Sequence, residues 1–419
     1  MAIVFTGDIL PLDITIQIPC SAHFKALTET FGLPKDGKRP ILEPLFHQIA
    51  RRLFIGGDFQ RPSQELFDLT EGNPVTFAPG GSSANTFTTY ARATRSNGLF
   101  LGVAGTDGSG QQIYQSLTDS GLLLLPTRLH LSETVKTAHS FSFRHTDVNG
   151  KENTSYAVYR GNVKDLIAPD DITCEMIDSV DAVFMSGSMR GEKMSQAVFD
   201  KALSLRWDLG KDFWFSPHTE EKVAIASADV FQWLIRSANR TTASVKEISW
   251  TLLPDVETKK ISVEQTLMAL KYVFEERYLE NRGRAKQHEQ IGFITDGGNG
   301  AYVVTADDIK HAPVAKTAKK LSAGGGGDAA AAGGHAALDV GLSPFDALLA
   351  GQEFSAAKIE TTNGPRLEGD PLDHLRRRNP QLAHRFEVGL RGWHQASDAS
   401  LSIPGYAIPD HAGMSHIRL

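Results

Sequence analysis

The chain has 419 residues, 41% of them apolar and 22% charged, and 43 Lys and Arg against 49 Asp and Glu give a formal charge of −6. This is the composition of an ordinary globular protein with ample material for a core, as one large α/β domain with additions or as two domains. It gives no ground for affinity to a nucleic acid polymer, and no stretch reaches the roughly 18 apolar residues of a membrane span, so neither partner is expected. The first strand candidate begins at once, without the basic and apolar regions of a signal peptide, and the expected location is cytoplasmic. Cys20 and Cys174 stand alone and cannot form a Cys-x-x-Cys ligand pair.

In chain order, 2–5 reads as a strand, and 13–18 as another with its isoleucines alternating at period two. Residues 41–54 carry Leu42, Leu45, Ile49 and Leu53 near helical spacing. Gly80-Gly81-Ser82-Ser83 feeds a helix over 84–93, and a strand over 99–105 runs into the loop Thr106-Asp107-Gly108-Ser109-Gly110, with a helix following over 111–120. Residues 136–163 are polar but β-prone around Asp147-Val148-Asn149-Gly150, the pattern of a projecting strand pair that would make a lid or a dimerisation surface. From 182 the βα rhythm returns: strands at 182–185, 213–215, 291–294 and 301–304, and helices at 191–206, 218–236, 245–252, 262–276 and 345–358. Short buried strands separated by helices predict a mostly parallel sheet covered on both faces.

The run Leu321-Ser322-Ala323-Gly324-Gly325-Gly326-Gly327-Asp328, followed by an Ala-rich stretch, carries the most chemistry. Glycines let a turn wrap an anion, and the helix predicted from about Asp328 points its positive end at it. A carboxylate beside an anion site either caps the helix or accepts a proton from a hydroxyl that attacks a phosphoryl group. His139, His145 and His335 match no zinc spacing and are expected to be ordinary hydrogen-bonded histidines, and the arginines at 376–378 a solvated face.

Taken together, these segments resemble, in order through most of 2–364, the ribokinase-like carbohydrate and nucleoside kinases (the pfkB family), with adenosine kinase-like features near the N-terminus. Gly80-Gly81-Ser82-Ser83-Ala84-Asn85 resembles the family's Gly-Gly-x-x-x-Asn. The 102–110 segment resembles Gly-x-x-Gly-x-Asp-x-x-Gly, and Thr295-Asp296-Gly297-Gly298-Asn299-Gly300 fits Thr-x-Gly-x-x-Gly, although the same residues also suit a plain hairpin. The glycine run aligns with Asp-Thr-x-Gly-Ala-Gly-Asp, its last Asp falling on Asp328.

The resemblance implies an α/β ribokinase-like three-layer sandwich with a mostly parallel central sheet and a small β lid. It implies a kinase domain over 1–364, lid elements near 12–20 and 136–163, and a C-terminal extension over 365–419 that packs on the core or is partly disordered. It further implies ATP-dependent transfer to a primary hydroxymethyl group of a sugar or nucleoside, with ATP and Mg2+ as cofactors and a monomer or a homodimer through the lid. Asp328 would be the base, with Gly325, Gly326 and Gly327 as the anion-binding turn; Thr295, Gly297 and Gly300 would hold the nucleotide. Asp13, Gly80, Gly81 and Asn85 would hold the acceptor, and Glu247 would attend the metal.

Three departures stand out. Ser322 and Ala323 replace the first Asp-Thr of the last motif, beside which many members bind a monovalent cation, so that requirement stays open. Ser244 replaces the Asn of Asn-x-x-Glu, leaving Glu247. Gly150-Lys151-Glu152-Asn153-Thr154 replaces Gly-Glu-Arg-Thr, and either Arg144 or Arg160 is left to supply a phosphate-facing guanidinium. Two other readings compete: a catalytically weakened kinase-like metabolite- or nucleotide-binding protein, and a dinucleotide-dependent oxidoreductase. Against the latter, no Gly-x-Gly-x-x-Gly follows the first strand.

Overall fold

The computed structural model describes residues 4–9, 11–35, 37–96, 98–124, 131–132, 136–150, 152–161, 168–187, 196–218, 221–256, 261–280, 289–318, 320–322, 324–362 and 366–396. Among them a ten-stranded sheet runs in the order Ile309–Ala312, Ala301–Val304, Ile291–Thr295, Arg240–Ser244, Asp212–Ser216, Ala182–Ser186, Val4–Ile9, Gly98–Gly105 and Leu122–Leu124, and Leu131–Ser132 also pairs with Gly98–Gly105. All neighbours are parallel except the two antiparallel pairs at the Ile309 edge.

Alternation along the central strands builds two cores. Trp214 and Phe184 face a cluster with the Ser82–Thr94, Gly326–Asp339 and Pro344–Thr361 helices, while Phe213, Phe215, Val183 and Met185 face the Gln196–Asp208, Ala228–Ser237 and Val263–Glu280 helices. Helices on both faces of one sheet give the three-layer sandwich. The Ala-rich run of 326–339 reflects a close helix crossing: a Cβ on Gly351 would lie 2.6 Å from the Ala330 carbonyl oxygen, and one on Gly333 2.9 Å from the Phe354 ring.

The lid, expected from elements near 12–20 and 136–163, also takes in Gly37–Ile41 and Thr76–Pro79. It is a five-stranded sheet in the order Gly37–Ile41, Glu152–Tyr159, Ala138–Thr146, Pro11–Gln17 and Thr76–Pro79. Its central strand is buried along almost its whole length, from Ala138 to His145. The reason is that one lid face is packed by the same chain: Phe24 and Leu27 of Ser21–Thr30 and Phe46 and Ile49 of Glu43–Leu53 join Ile14, Ile16, Phe141 and Phe143 in one cluster, with Phe46 stacked on Tyr159 at 4.5 Å.

Some expectations need adjusting. The Ala-rich helix starts at Gly326, not at Asp328. The 218–236 region, readable as one or two helices, is two, Glu221–Ala226 and Ala228–Ser237. The Arg240–Ser244 strand escaped notice because Arg-Thr-Thr-Ala-Ser is polar; its central place in the sheet, not its composition, makes it β. Arg376 and Arg377 are exposed as expected, but Arg378 is inserted between Glu353 at 2.7 Å and Glu360 at 2.6 Å. The Pro371–Arg378 and Pro380–Ala396 helices bury Leu372, Leu375, Leu382 and Phe386 against the Pro344–Thr361 helix. Ala323, Lys151, residues 191–195 and residues 397–419 lie outside the described residues. Among the described residues, no helix is long and apolar enough to cross a membrane.

Candidate active site

The glycine run positions its carboxylate by helix geometry. Gly325 takes φ 78° as the N-cap of the Gly326–Asp339 helix, a backbone state open to glycine at little cost, and its carbonyl accepts the first intrahelical bond from the Ala329 N–H at 3.0 Å. Gly326, Gly327 and Asp328 therefore form the first turn, where amides precede the intrahelical ladder and the helix dipole is positive. A Cβ on Gly327 would meet nothing within 4 Å, whereas one on Gly326 would meet Ser355 Oγ at 3.1 Å. Only the Gly327 side of the turn is open.

That side faces a cavity of about 370 Å³ lined by Gly325, Gly327, Asp328, Ser82, His218 and, further along, Thr295, Glu247, Trp250 and Gln352. Asp328 Oδ1 accepts from Ser82 Oγ at 2.5 Å, and Oδ2 from Asn85 Nδ2 at 3.2 Å. Burial raises the Asp328 carboxyl above its ordinary range, opposed by His218, by the two hydrogen bonds and by Lys358. His218, at a left-handed φ of 36°, stands 3.3 Å from Ser82 Oγ through Nδ1. A non-glycine residue held there costs backbone strain, a pattern concentrated at functional sites.

Asp13, on the lid strand Pro11–Gln17, does not line that cavity. Its carboxylate occupies the place of a side chain on Gly80: a Cβ there would lie 2.2 Å from Asp13 Oδ2. Gly80 is thus required by contact, and Gly81, at φ 94°, by the turn into Ser82–Thr94. Burial pushes Asp13 up to about 6 against the attraction of Arg366 and Lys38 and a hydrogen bond from Ser140. Arg366 donates through Nε to Asn85 Oδ1 at 2.9 Å and lies close enough to Asp13 and Asp328 to be charge-coupled to both. It thereby joins the two carboxylates. Sequence reasoning passed over Arg366, His218 and Ser82: nothing local distinguishes an arginine near a chain turn, or a histidine after a strand, from solvated ones. Ser82 did lie inside a quoted motif.

Of the three nucleotide candidates, Thr295 lines the cavity. Gly297, at φ 52°, and Gly300, at φ 111° with its Cβ position 2.2 Å from the Ala312 carbonyl, shape the turn of the hairpin joining Ile291–Thr295 to Ala301–Val304. Glu247 lines the cavity while its Oε2 accepts from the Ser244 N–H at 2.7 Å and Oγ at 2.8 Å, a reciprocal cap on Val245–Leu252. Ser244 therefore takes over a local hydrogen-bonding task of its own. Among the described residues no group of three His, Cys, Asp or Glu can hold a metal ion. The Glu247 carboxylate in the cavity suits Mg2+ nonetheless, since that ion keeps several waters and uses one or two carboxylates alongside substrate phosphates.

Asp107 is structural. It caps Gly108–Asp119 by accepting from Gly110 N–H at 2.8 Å and ties that helix to the lid by accepting from Thr137 Oγ1 at 2.7 Å. His139 is hydrogen-bonded to the Thr137 carbonyl at 2.9 Å and Ser109 Oγ at 3.1 Å, and His145 to the Ile18 carbonyl at 2.9 Å. His335 departs from that expectation: among the described residues neither ring nitrogen has a partner, and the ring stacks on Trp214 at 4.5 Å, where burial keeps it neutral.

A mostly parallel sheet with helices on both faces, a β lid, and a carboxylate in the first turn of a glycine-led helix make up a ribokinase-like three-layer sandwich. Residues 57–366 match the pfkB family carbohydrate kinase model, and the chain belongs to that family. ATP-dependent phosphotransfer is the activity typical of its members. No curated protein matches the chain. Among solved structures it is similar to a probable sugar kinase from Rhizobium etli (15% identity, 91% of this chain and 99% of that one, TM-score 0.70). It is also similar to adenosine kinase from Sinorhizobium meliloti (16%, 90% and 99%, TM-score 0.69) and to that from Schistosoma mansoni in complex with 2-fluoroadenosine (16%, 88% and 97%, TM-score 0.65). At these identities the likeness is one of fold.

Proposed function

We propose that the protein transfers the γ-phosphoryl group of ATP to a primary hydroxymethyl group of a nucleoside or sugar. The observation that carries this reading is Asp328 itself, a half-buried carboxylate on the open turn of Gly325, Gly326 and Gly327, aimed by Ser82 and Asn85. Asp328 takes the hydroxyl proton as the hydroxyl oxygen forms its bond to the γ-phosphorus. The bond from that phosphorus to the bridging oxygen breaks, and ADP leaves. Amides of the first turn and the helix dipole stabilise the charge on the moving group. Thr295, with the turn made by Gly297 and Gly300, lines the nucleotide side. When bound, Mg2+ neutralises phosphate charge; Glu247 would hold it through water.

Asp13, Gly80, Gly81 and Asn85 form the acceptor side. A carboxylate accepts two hydrogen bonds at once, which suits vicinal hydroxyls, whether of a nucleoside's ribose or of a free sugar; the resemblance of Leu12-Asp13-Ile14 to adenosine kinase-like members favours the nucleoside. The weakened-kinase alternative rests on Ser322, Ala323 and Ser244; the Ser322 hydroxyl is bonded by Arg144 and the Ser244 hydroxyl bonds Glu247, and turnover is what separates the two readings. The test is ATP turnover with adenosine, inosine, ribose and fructose, with 31P spectra to locate the new ester. Transfer to a primary hydroxyl, fastest for a nucleoside, is expected; turnover with none of them would overturn the acceptor class.

The protein is further proposed to act as a monomer. The lid face that could pair with a second copy is already packed by Ser21–Thr30 and Glu43–Leu53. Light scattering should return the mass of one 45.6 kDa chain, and a concentration-independent dimer would contradict it.

A further inference from the structure

Beneath the glycine run, two buried cations converge on one residue. The Arg144 guanidinium hydrogen-bonds the Ser322 hydroxyl, and Lys358 Nζ donates to the Ser322 carbonyl oxygen at 3.0 Å. Both are out of solvent, Lys358 at 0% exposure and Arg144 at 2%. Lys358 sits in the last turn of Pro344–Thr361, where an ammonium meets the negative end of the helix. Arg144 comes from the lid strand Ala138–Thr146, with Nε donating to Ser142 Oγ at 2.9 Å and Nη1 3.9 Å from Glu152. A Cβ on Gly324 would lie 2.7 Å from Arg144 Nη2, so the guanidinium occupies the space of a side chain there. The segment is pinned from both sides: the Leu321 N–H donates to the Ile359 carbonyl at 2.8 Å and the Gly324 N–H to Ser322 Oγ at 3.2 Å.

The family resemblance implied a monovalent-cation site at this place, beside a carboxylate. The residues present do not fit one. A hydroxyl stands where the carboxylate would be, and its oxygen and the adjoining carbonyl oxygen already accept from a guanidinium and a lysine amine. A third cation would be repelled by both, at close range and in a medium less polarisable than water.

We propose that Lys358, braced by Arg144, is the resident cation of the loop that carries Asp328, and that phosphoryl transfer by this protein proceeds without an added monovalent cation. The proposal rests on the kinase reading above. Lys358 acts through the loop and is a positioning residue. Burial and the neighbouring guanidinium push its ammonium down to about 7, and Glu152 and Asp328 pull the other way. A phosphate at the first turn adds to that pull and favours the charged form.

The experiment compares potassium with tetramethylammonium chloride at equal ionic strength, slightly below neutral pH. It is run on the wild type and on Lys358→Gln, which is one atom shorter, keeps an N–H donor and removes the charge. Three quantities are read: turnover, affinity for a nonhydrolysable ATP analogue by calorimetry, and thermal midpoint. For the wild type all three should be unchanged within about twofold or the equivalent shift, whereas K358Q should lose about tenfold in turnover and recover part of it with potassium or ammonium. Tenfold activation of the wild type by potassium overturns the proposal, as does a K358Q protein that folds but responds to no cation. Should K358Q not fold, the wild-type comparison decides alone. If no acceptor supports turnover, the kinase reading fails, while the affinity and thermal arms still decide the cation question.

Discussion

Replacing Asp328 by Asn lowers kcat for phosphoryl transfer by about 10²–10⁴-fold, the range that removal of a general base covers, while affinity for ATP changes little. The expectation follows from position. Asp328 shares its turn with the amides proposed to hold phosphate, but its own carboxylate is held by Ser82 and Asn85, on the acceptor side. A neutral amide preserves the size of the group and removes its basicity. The pH profile gives a second readout. Burial raises the Asp328 carboxyl, so the wild-type activity, which needs the anion, falls off on the acid side at a pH above that of an exposed carboxylate, and this limb vanishes in D328N. Steady-state kinetics with calorimetric nucleotide binding checks both. A D328N enzyme with wild-type kcat would remove the base from the mechanism.

Asp13→Asn produces effects of opposite sign on stability and function. The folded-state value of about 6 lies above the ordinary value of 3.8, so the folded protein binds this proton more tightly than the unfolded chain. The stabilisation this gives is fully present below the unfolded value and is lost as pH rises through about 6. Above that, the buried anion costs at most about 3 kcal/mol, a cost that Arg366 has already reduced. At pH of about 8 the D13N protein should therefore melt higher than the wild type by a few degrees, a difference that shrinks as pH falls through 6. Function moves the other way. Loss of two charge-assisted hydrogen bonds to acceptor hydroxyls should lower kcat/KM for the acceptor by about 10²-fold or more, chiefly through KM. The wild-type KM should itself rise as pH drops through about 6. Calorimetric melting and acceptor kinetics across this pH range test the pair; D13N binding the acceptor as well as wild type would place the acceptor elsewhere.

The motifs quoted from the chain were legible because each depends on local backbone. Gly325 and Gly81 need left-handed φ, and Gly80 and Gly110 leave no space for a Cβ, Gly110 lying 1.9 Å from the Gly105 carbonyl oxygen in that hypothetical position. Such requirements act at one residue and leave a mark at one residue. The alternation of Phe213, Trp214 and Phe215 likewise announced a strand buried on both faces. What stayed hidden was set by partners distant in sequence. Arg240–Ser244 is a strand because of its neighbours, and Ser21–Thr30 and Gln64–Thr70 are short helices without a strong periodic pattern. Arg366 meets Asn85 across 281 positions, and Arg144 meets Ser322 across 178.

The sequence by itself determined the layered α/β architecture, the glycine turn and the carboxylate on it, since glycine conformational freedom, period-two burial and helix polarity are properties of short segments. Tertiary structure alone decided that Arg366 is charge-coupled to both Asp13 and Asp328, that the lid covers its own apolar face, and that two cationic side chains meet at Ser322. Charges and side-chain contacts of that kind depend on distance in space, and spacing along the chain carries no record of it.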